Sequence, residues 1–400
     1  MYGCMWVVLS VGAWLFLASY AEMPVSTTHS CVGGMVGMAW ALGGYDCVIW
    51  YEPLETFPYI GGVSGIVLSW VISPLFSSLI AGILYSTLRR WILRRDFETI
   101  GINIAYPVII GLTITLNIFF IIYKGAKGLG LDKVPVSIAI GTALGGGAVV
   151  AIIVAPFVPM IKRHVVKRLE DVDPGVELPN VETDIESKRV SFNIKDDKEL
   201  NRIVRLHSEA ETFDPRMEEV FKFLQIFTAM CASFSHGAND VANAIGPFAA
   251  IYTIWRVGDV QKNSVMDANA YWILSIGGVG ITVGLLVYGY RIMYAMGEKL
   301  CKISPARGVA IELTSALVII TGSRLKIPLS TTHCQIGATV GVGALEDCRT
   351  CGGINCKVFM KAVVGWILTL IFVGGTTGLL VAQGMHSPPL EKCVLLNVTG

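Results

Sequence analysis

Charged residues are scarce in this 400-residue chain. Asp, Glu, Lys and Arg make up 15% of it, whereas a soluble domain usually carries about 25%. Hydrophobic residues make up 53%, and the mean hydropathy is +0.62. Basic and acidic residues nearly balance, with a net charge of +1, so the composition indicates neither a nucleic acid nor an acidic partner. The scarcity of charge instead predicts a chain that lies in a lipid bilayer.

Motifs of enzymes and metal sites are also missing. The sequence contains no serine-nucleophile motif and no His-Glu-x-x-His, which argues against an intramembrane hydrolase that uses His236 and Asp240. Cys348 and Cys351 have one Cys-x-x-Cys spacing, but no second pair or histidine follows at the spacing of a zinc site. We therefore interpret the ten cysteines mostly as free thiols, and expect neither an enzyme nor a cofactor.

Apolar segments recur along the chain. Seven have the length of a membrane span, at 4–21, 60–88, 101–123, 134–161, 271–296, 306–322 and 357–384. Three more are interrupted by polar residues, proline or glycine, which predicts hairpins or broken helices that reach the membrane interior; they are 24–44, 221–255 and 326–346. Since no basic residue precedes the first apolar run, we interpret this run as a span, with a signal peptide as the alternative. The prediction is an all-α polytopic membrane protein with about 8–10 membrane segments.

A charged stretch at 162–219 divides the sequence. We interpret 1–161 as a first transmembrane repeat, 162–219 as a linker and 220–400 as a second repeat. Basic residues follow two of the spans, from Arg89 and from Lys162 onward, and they place the linker on the cytoplasmic side. The expected location is an integral, multi-pass protein of the plasma membrane.

One short motif occurs twice. The copies are Pro24-Val25-Ser26-Thr27-Thr28-His29 and Pro328-Leu329-Ser330-Thr331-Thr332-His333, and over fourteen positions from each proline eight residues are identical. Proline followed by hydroxyl residues is typical of a helix start, where unpaired N–H groups and the helix dipole favour an anion. Two such starts can hold one oxyanion, such as phosphate or sulfate. The alternative is that the hydroxyls only cap their own helices.

A second polar element, His236 to Ala244, lies in an apolar run. On a helix, Asn239 and Asn243 share a face, and Asp240 lies one turn from both His236 and Asn243. An aspartate at membrane depth costs roughly 2.5–3.5 kcal/mol, and a bound cation would offset that cost. This pattern predicts a sodium site at Asp240, with a buried polar network as the alternative.

Two further features bear on transport. Gly237 and Gly246-Pro247 are expected to break the helix and to expose backbone carbonyls. Glu312, also in an apolar run, is a candidate coupling carboxylate; the alternative is a carboxylate at a helix end near water. The histidines of the motifs are interpreted as supporting residues: His29, His236 and His333.

These motifs resemble those of the inorganic phosphate transporter (PiT) family of sodium- or proton-coupled symporters. His236 to Ala244 is similar to the signature of the family's second repeat, and both Pro-x-Ser-Thr-Thr-His elements are similar to its helix starts. The resemblance implies an inverted repeat with re-entrant helical hairpins and a central phosphate site flanked by cations. It also implies a transport role for Glu312, within Gly-x-x-x-Glu-Leu from Gly308.

The resemblance assigns roles to the motif residues. It implies phosphate binding by Ser26, Thr27, Thr28, Ser330, Thr331, Thr332, Asn239 and Asn243. It implies cation binding and coupling by Asp240, Asn239, Asn243 and Glu312. The family also carries a first Gly-Ala-Asn-Asp-Val-Ala-Asn copy and a first glutamate ahead of the first helix start. Only 23 residues precede Pro24 here, so an N-terminally incomplete first repeat is expected.

The predicted function is secondary active transport of inorganic phosphate, coupled to sodium or proton influx. Two alternatives stay open: a sulfate transporter of the same fold, and a truncated copy that senses phosphate without transporting it. Because phosphate can donate a hydrogen bond near neutral pH and sulfate cannot, an acceptor such as Asp240 beside the ion favours phosphate. The expected partners are phosphate, sodium or a proton, and the bilayer; a homodimer, the coupling ion and the affinity are left open.

Overall fold

The computed structural model is almost entirely helical, as predicted. It describes residues 1–55, 58–98, 100–124, 134–171, 197–258, 270–325, 327, 329–346 and 353–386. Within these residues, seven helices are long and apolar enough to cross a membrane. The prediction of an all-α polytopic membrane protein is confirmed.

Thirteen α-helices are described along these residues. They are α1 (Tyr2–Tyr20), α2 (Thr27–Gly43), α3 (Gly62–Leu88), α4 (Ile100–Lys124), α5 (Val136–Val154), α6 (Val158–Asp171), α7 (Asp197–Glu209), α8 (Pro215–Val257), α9 (Tyr271–Gly284), α10 (Tyr290–Tyr294), α11 (Pro305–Arg324), α12 (Thr331–Gly343) and α13 (Cys356–His386). Five-residue and six-residue π-helices continue α3 and flank α10, at Arg89–Leu93, Leu285–Gly289 and Ala295–Leu300. Two antiparallel strands, β1 (Glu52–Pro53) and β2 (Ile60–Gly61), pair between α2 and α3.

The helix α8 corrects one sequence prediction. The segment 221–255 is not broken, because α8 runs without interruption for 43 residues through Gly237 and Gly246-Pro247. Pro247 removes one hydrogen bond and crowds the carbonyl four residues earlier, but the helix continues on both sides of it, and a lone glycine weakens a helix without ending it. The predicted break in this helix is therefore wrong.

The chain forms two compact units. The first contains Met1–Gly65, Asp240–Leu285 and Ala362–Gly400, and the second contains Ile66–Asn239 and Leu286–Lys361. Each unit therefore combines segments from both halves of the sequence, and three of the boundaries fall inside α-helices, namely α3, α8 and α13. The division into two sequence repeats and a linker stays a prediction.

In the first unit, α1 and α2 form a helical hairpin. The N–H of Met23 donates to the carbonyl of Ala18 at 2.9 Å, and the N–H of Val25 donates to that of Met23 at 2.9 Å. The hairpin packs on α13 through Gly37, where a Cβ atom would overlap the carbonyl oxygen of Gly374. Small residues thus let two helix backbones touch.

In the second unit, α11 and α12 form the same hairpin 304 residues later. The N–H of Ile327 donates to the carbonyl of Gly322 at 3.0 Å, and the N–H of Leu329 donates to that of Ile327 at 2.8 Å. This hairpin packs on α3, where a Cβ atom on Gly341 would overlap the carbonyl oxygen of Ser78. The duplication seen in the sequence is thus repeated in backbone hydrogen bonds and in glycine packing.

The packing partners of the two hairpins are exchanged along the chain. The α1–α2 hairpin packs on α13, which follows the second hairpin in sequence, and the α11–α12 hairpin packs on α3, which follows the first. The partner helices are themselves similar, since Trp70 and Phe76 of α3 recur 296 residues later as Trp366 and Phe372 of α13. Each hairpin is therefore packed against a helix from the other half of the sequence.

A buried ion pair fixes the base of the second hairpin. Arg307 at the start of α11 is 1% exposed and pairs with Glu346, just after α12, at 3.0 Å. The hydroxyl of Tyr85 on α3 donates to Glu346 at 2.7 Å. Because a charge buried without its partner is costly, each member of this group holds the others in place. The equivalent positions in the first hairpin are Gly3 and Leu42.

The segment before α8 joins the same group of charges. The N–H of Glu211 donates to Glu346 at 2.7 Å, and Arg307 donates to the carbonyl of Glu211 at 2.7 Å. The carboxylate of Glu211 accepts two hydrogen bonds from Arg94, at 2.9 and 3.0 Å. These bonds, together with the nearby Arg89, hold the pKa of Glu211 below its usual value. The sequence analysis did not identify this network.

The close contact of Gly37 with α13 predicts that one added methyl group destabilises the protein. Gly37→Ala should lower the thermal unfolding temperature of the purified protein, because over-packing of this kind costs about 1–3 kcal/mol. Gly375→Ala on α13 is the matched control, since a Cβ atom at Gly375 meets nothing within 4 Å. Equal unfolding temperatures for the two variants would contradict the packing described for α2 and α13.

Candidate functional site

The two motif serines begin their helices in the same way. Ser26 precedes α2 with φ −101° and ψ 128°, and Ser330 precedes α12 with φ −98° and ψ 125°. Each serine Oγ accepts a hydrogen bond at 3.3 Å from the backbone N–H three residues later, that of His29 or His333. Both serines are therefore N-caps, as the capping alternative supposed for the hydroxyls.

A tryptophan holds the turn of the first hairpin. The indole Nε1 of Trp366 on α13 donates to the carbonyl oxygen of Pro24 at 3.1 Å. The Trp366 side chain is 7% exposed, so this carbonyl would otherwise be a buried acceptor without a donor. The sequence analysis missed this role; the available signal was the recurrence of Trp70 as Trp366 in the similar helices α3 and α13.

The two threonines of the first motif contact the Asn-Asp element of α8. Thr27 Oγ1 donates to Asp240 Oδ1 at 2.9 Å, and the amide of Asn243 donates to Thr28 Oγ1 at 2.8 Å. All four residues belong to the first unit. Consecutive threonines in the first turn of α2 thus face two α8 residues that lie about one turn apart. The structure brings together four of the residues that the sequence predicted for the site.

This cluster contains groups suited to binding a cation and groups suited to binding an anion. The Asp240 carboxylate and the Asn243 amide oxygen are oxygen ligands of the type that hard cations take. The first-turn N–H groups of α2 have no partner within their helix, so they favour an anion. Since Thr27 has a single hydroxyl hydrogen, it can donate either to Asp240 or to a bound anion, but not to both.

In the second unit, α8 and α11 form another polar cluster. Thr228 Oγ1 of α8 donates to Glu312 Oε2 of α11 at 2.7 Å, and His236 Nε2 lies 3.3 Å from Ser315 Oγ. Glu312 lies well inside α11, so the alternative of a carboxylate at a helix end is wrong. Neither Thr228 nor Ser315 was predicted, and both are ordinary hydroxyl residues within apolar runs.

The carboxylate of this cluster is not duplicated in the first hairpin. At the offset that relates the hairpins, Val8 of α1 stands where α11 has Glu312. The sequence predicted that a first glutamate would be missing upstream of Pro24, and the residue at this equivalent position is apolar. Within the described part of α1, the first unit thus has no acidic counterpart of Glu312.

The remaining predicted residues lie in α2, in α8 and at the start of α12. Thr331 is the first residue of α12, followed by Thr332, and His29 and His333 are fully buried. Asn239 is the last residue that α8 contributes to the second unit. The two hydroxyl motifs belong to different units, so their convergence on one ion stays a prediction.

The fold and the clusters define an integral, multi-pass membrane transporter. The sequence profile of the phosphate transporter family matches residues 1–377. The phosphate-repressible phosphate permease of Neurospora crassa is 28% identical over 97% of this chain and 84% of the relative. Sodium-dependent phosphate transporter 1 of Xenopus tropicalis is 25% identical over 94% of this chain and 82% of the relative.

A solved structure agrees with these relatives. It is described as the sodium-dependent phosphate transporter, and it matches with a TM-score of 0.71 and 28% identity over 95% of this chain and 78% of that chain. This chain belongs to the phosphate transporter family. The resemblance drawn from the motifs is confirmed, as is the prediction that the chain is not an enzyme, since the family is one of transporters.

The cap geometry predicts the effect of removing one hydroxyl. Ser330→Ala should destabilise the protein by about 1 kcal/mol, because the N–H of His333 then loses its acceptor. Ser323→Ala in α11 removes the same atom from a residue that caps no helix, and serves as the control. Thermal unfolding of the purified variants measures the difference. A Ser330→Ala protein as stable as the control would exclude a stabilising cap.

Proposed function

We propose that this chain transports inorganic phosphate into the cell together with sodium. The Ser-Thr-Thr helix starts bind the anion, and Asp240 binds the cation. One observation carries the proposal: Thr27 and Thr28 of the anion motif contact Asp240 and Asn243 of the cation motif, at 2.9 and 2.8 Å. An anion at the start of α2 and a cation at Asp240 would therefore be immediate neighbours.

Membership of a phosphate transporter family supports phosphate as the substrate. Sodium as the coupling ion is supported by the names of the Xenopus tropicalis relative and of the solved structure. It is also supported by chemistry, because the carboxylate and amide oxygens near Thr27 are hard ligands suited to such a cation. The relatives named as permeases support the plasma membrane as the location.

The coupling follows from the single hydrogen of the Thr27 hydroxyl. Without a cation, this hydrogen is donated to Asp240, and the Asp240 charge repels an approaching phosphate. Sodium at Asp240 neutralises that charge and takes the place of the Thr27 hydrogen, which then turns to phosphate. Each ion thus strengthens the binding of the other by the same factor.

The other predicted residues complete the site. Ser26, with Ser330, Thr331 and Thr332 of the second motif, contributes to phosphate binding, and so do the amides of Asn239 and Asn243. Glu312 is the coupling carboxylate of the second unit, held by Thr228 at 2.7 Å. The three motif histidines support the helix starts and α8: His29, His333 and His236. Alternating access then follows from rocking of the transporter around this site.

Asp240→Asn tests the cation role. This variant keeps an oxygen that can accept from Thr27 but loses the charge, so sodium-dependent phosphate uptake into proteoliposomes should fall at least tenfold. Thr253→Val is the control on the same helix, because the Thr253 hydroxyl bonds only the carbonyl of Ala249 within α8. Uptake by Asp240→Asn equal to that of the unmodified chain would refute the role of Asp240.

Replacement of the external cation tests the coupling ion. Radiolabelled phosphate uptake should fall to background when choline replaces sodium at constant pH, because choline cannot fit among the oxygen ligands near Asp240. Collapse of the pH gradient with a protonophore should leave the sodium-driven uptake unchanged. The opposite pattern, with uptake that persists in choline and ends with the protonophore, would identify proton coupling and overturn the sodium assignment.

A further inference from the structure

A helix of the charged linker is docked on the second unit. The apolar face of α7 is buried through Leu200, Ile203 and Leu206. Lys299 pairs with Glu199 at 2.8 Å, and the side chain of Lys302 donates to the carbonyl of His207 at 3.2 Å. Because α7 is fixed in this way, the residues on its other face have a defined position beside the chain that leads into α13.

A cavity lies between α7 and the start of α13. Its volume is about 330 Å³, and its lining comes entirely from the second unit: Arg202, Arg205, Leu206, Glu209, Ile354, Asn355, Cys356 and Lys357. The proposed transport site uses none of these residues. At a share of about 30 Å³ per molecule, the volume corresponds to roughly ten waters, which is more than one five-atom oxyanion needs.

The charge around this cavity is mostly positive. Arg202, Arg205 and Lys357 carry three positive charges, and among the described residues Glu209 is the one carboxylate in the lining. Glu209 already accepts from Arg205 at 2.7 Å. Within the described residues, Arg202 and Lys357 have no ion-pair partner. The lining therefore carries a positive charge that an anion would neutralise.

Hydrogen-bond donors at the start of α13 add to this charge. Asn355 is 7% exposed, and its side-chain oxygen accepts from the N–H of Val358 at 3.4 Å. Its amide nitrogen, which makes no hydrogen bond to the described residues, is left as a donor at the cavity. The N–H groups of Val358 and Phe359 both donate to Asn355, so those of Cys356 and Lys357 are the donors left at this end, which the helix dipole makes positive.

We propose that α7 and the start of α13 form a second oxyanion site, which binds a compound with two or more phosphate groups. Arginine forks match phosphate oxygens, and the charged side chains of the lining are three cations and one carboxylate that is already paired. The volume admits a diphosphate group, either free or on a lipid headgroup. Binding would tie the linker helix to the last membrane helix. The inference does not depend on the proposed coupling mechanism.

Pyrophosphate binding to the purified full-length protein tests the site. Calorimetry should show binding that weakens at least tenfold in Arg202→Gln and in Lys357→Gln, and that is lost in the double variant. Lys198→Gln removes a charge from the same helix outside the cavity lining, and should bind as the unmodified chain does. Thr27→Val should also bind normally, which separates this site from the proposed transport site.

A second measurement separates free from lipid-borne phosphate. If a lipid headgroup is the ligand, nanodiscs that contain a phosphoinositide bisphosphate should reduce deuterium uptake in α7 and in 355–360. If the free compound is the ligand, soluble pyrophosphate should reduce deuterium uptake in the same segments. Protection by either probe that disappears in the double variant supports the site. Absence of binding and protection with both probes, or equal effects in the double variant, would overturn the proposal.

Discussion

The buried turn of each helical hairpin is the constraint on which the other features depend. A chain that reverses direction inside a membrane protein has backbone groups that water does not reach, and each one needs a partner. The motif supplies these partners locally. A short hydrogen bond closes the turn at Val25 or Leu329, and a serine caps the next helix. In the first hairpin, Trp366 also reaches in to satisfy Pro24.

Within the Ser-Thr-Thr motif, the serine and the two threonines therefore have different roles. The serine oxygen accepts from its own helix start, so the two threonines make the contacts with α8. The motif that stabilises a buried turn thus also places hydroxyl groups beside a carboxylate. A cation and an anion at such a place depend on each other, because neither charge is stable there alone. Folding and the proposed ion coupling share one physical origin in this motif.

Much of this arrangement could be predicted from the sequence, for reasons that apply to particular residues. The repeated Pro-x-Ser-Thr-Thr-His motif indicated two equivalent helix starts, and the spacing of Asp240 and Asn243 placed both on one face of a helix. Their meeting with Thr27 and Thr28 could not be derived, because nothing in a sequence repeat says which helix packs on which. The same holds for Thr228 beside Glu312, and for Arg307 with Glu346. The break predicted in α8 is wrong, because the many other hydrogen bonds of this 43-residue helix keep it continuous despite the lost bond and the crowding at Pro247.

The exchanged packing of the hairpins has a consequence for biosynthesis. Gly33 in α2 packs on Leu370 in α13, so roughly 340 residues of translation separate the two partners. At about 5–20 residues per second, the first hairpin waits about 20–70 s for its neighbour. The second hairpin has no such delay, since α3 leaves the ribosome before it. The α1–α2 hairpin therefore enters the membrane with its glycine face uncovered, and the packing of its unit is completed only when α13 has been inserted.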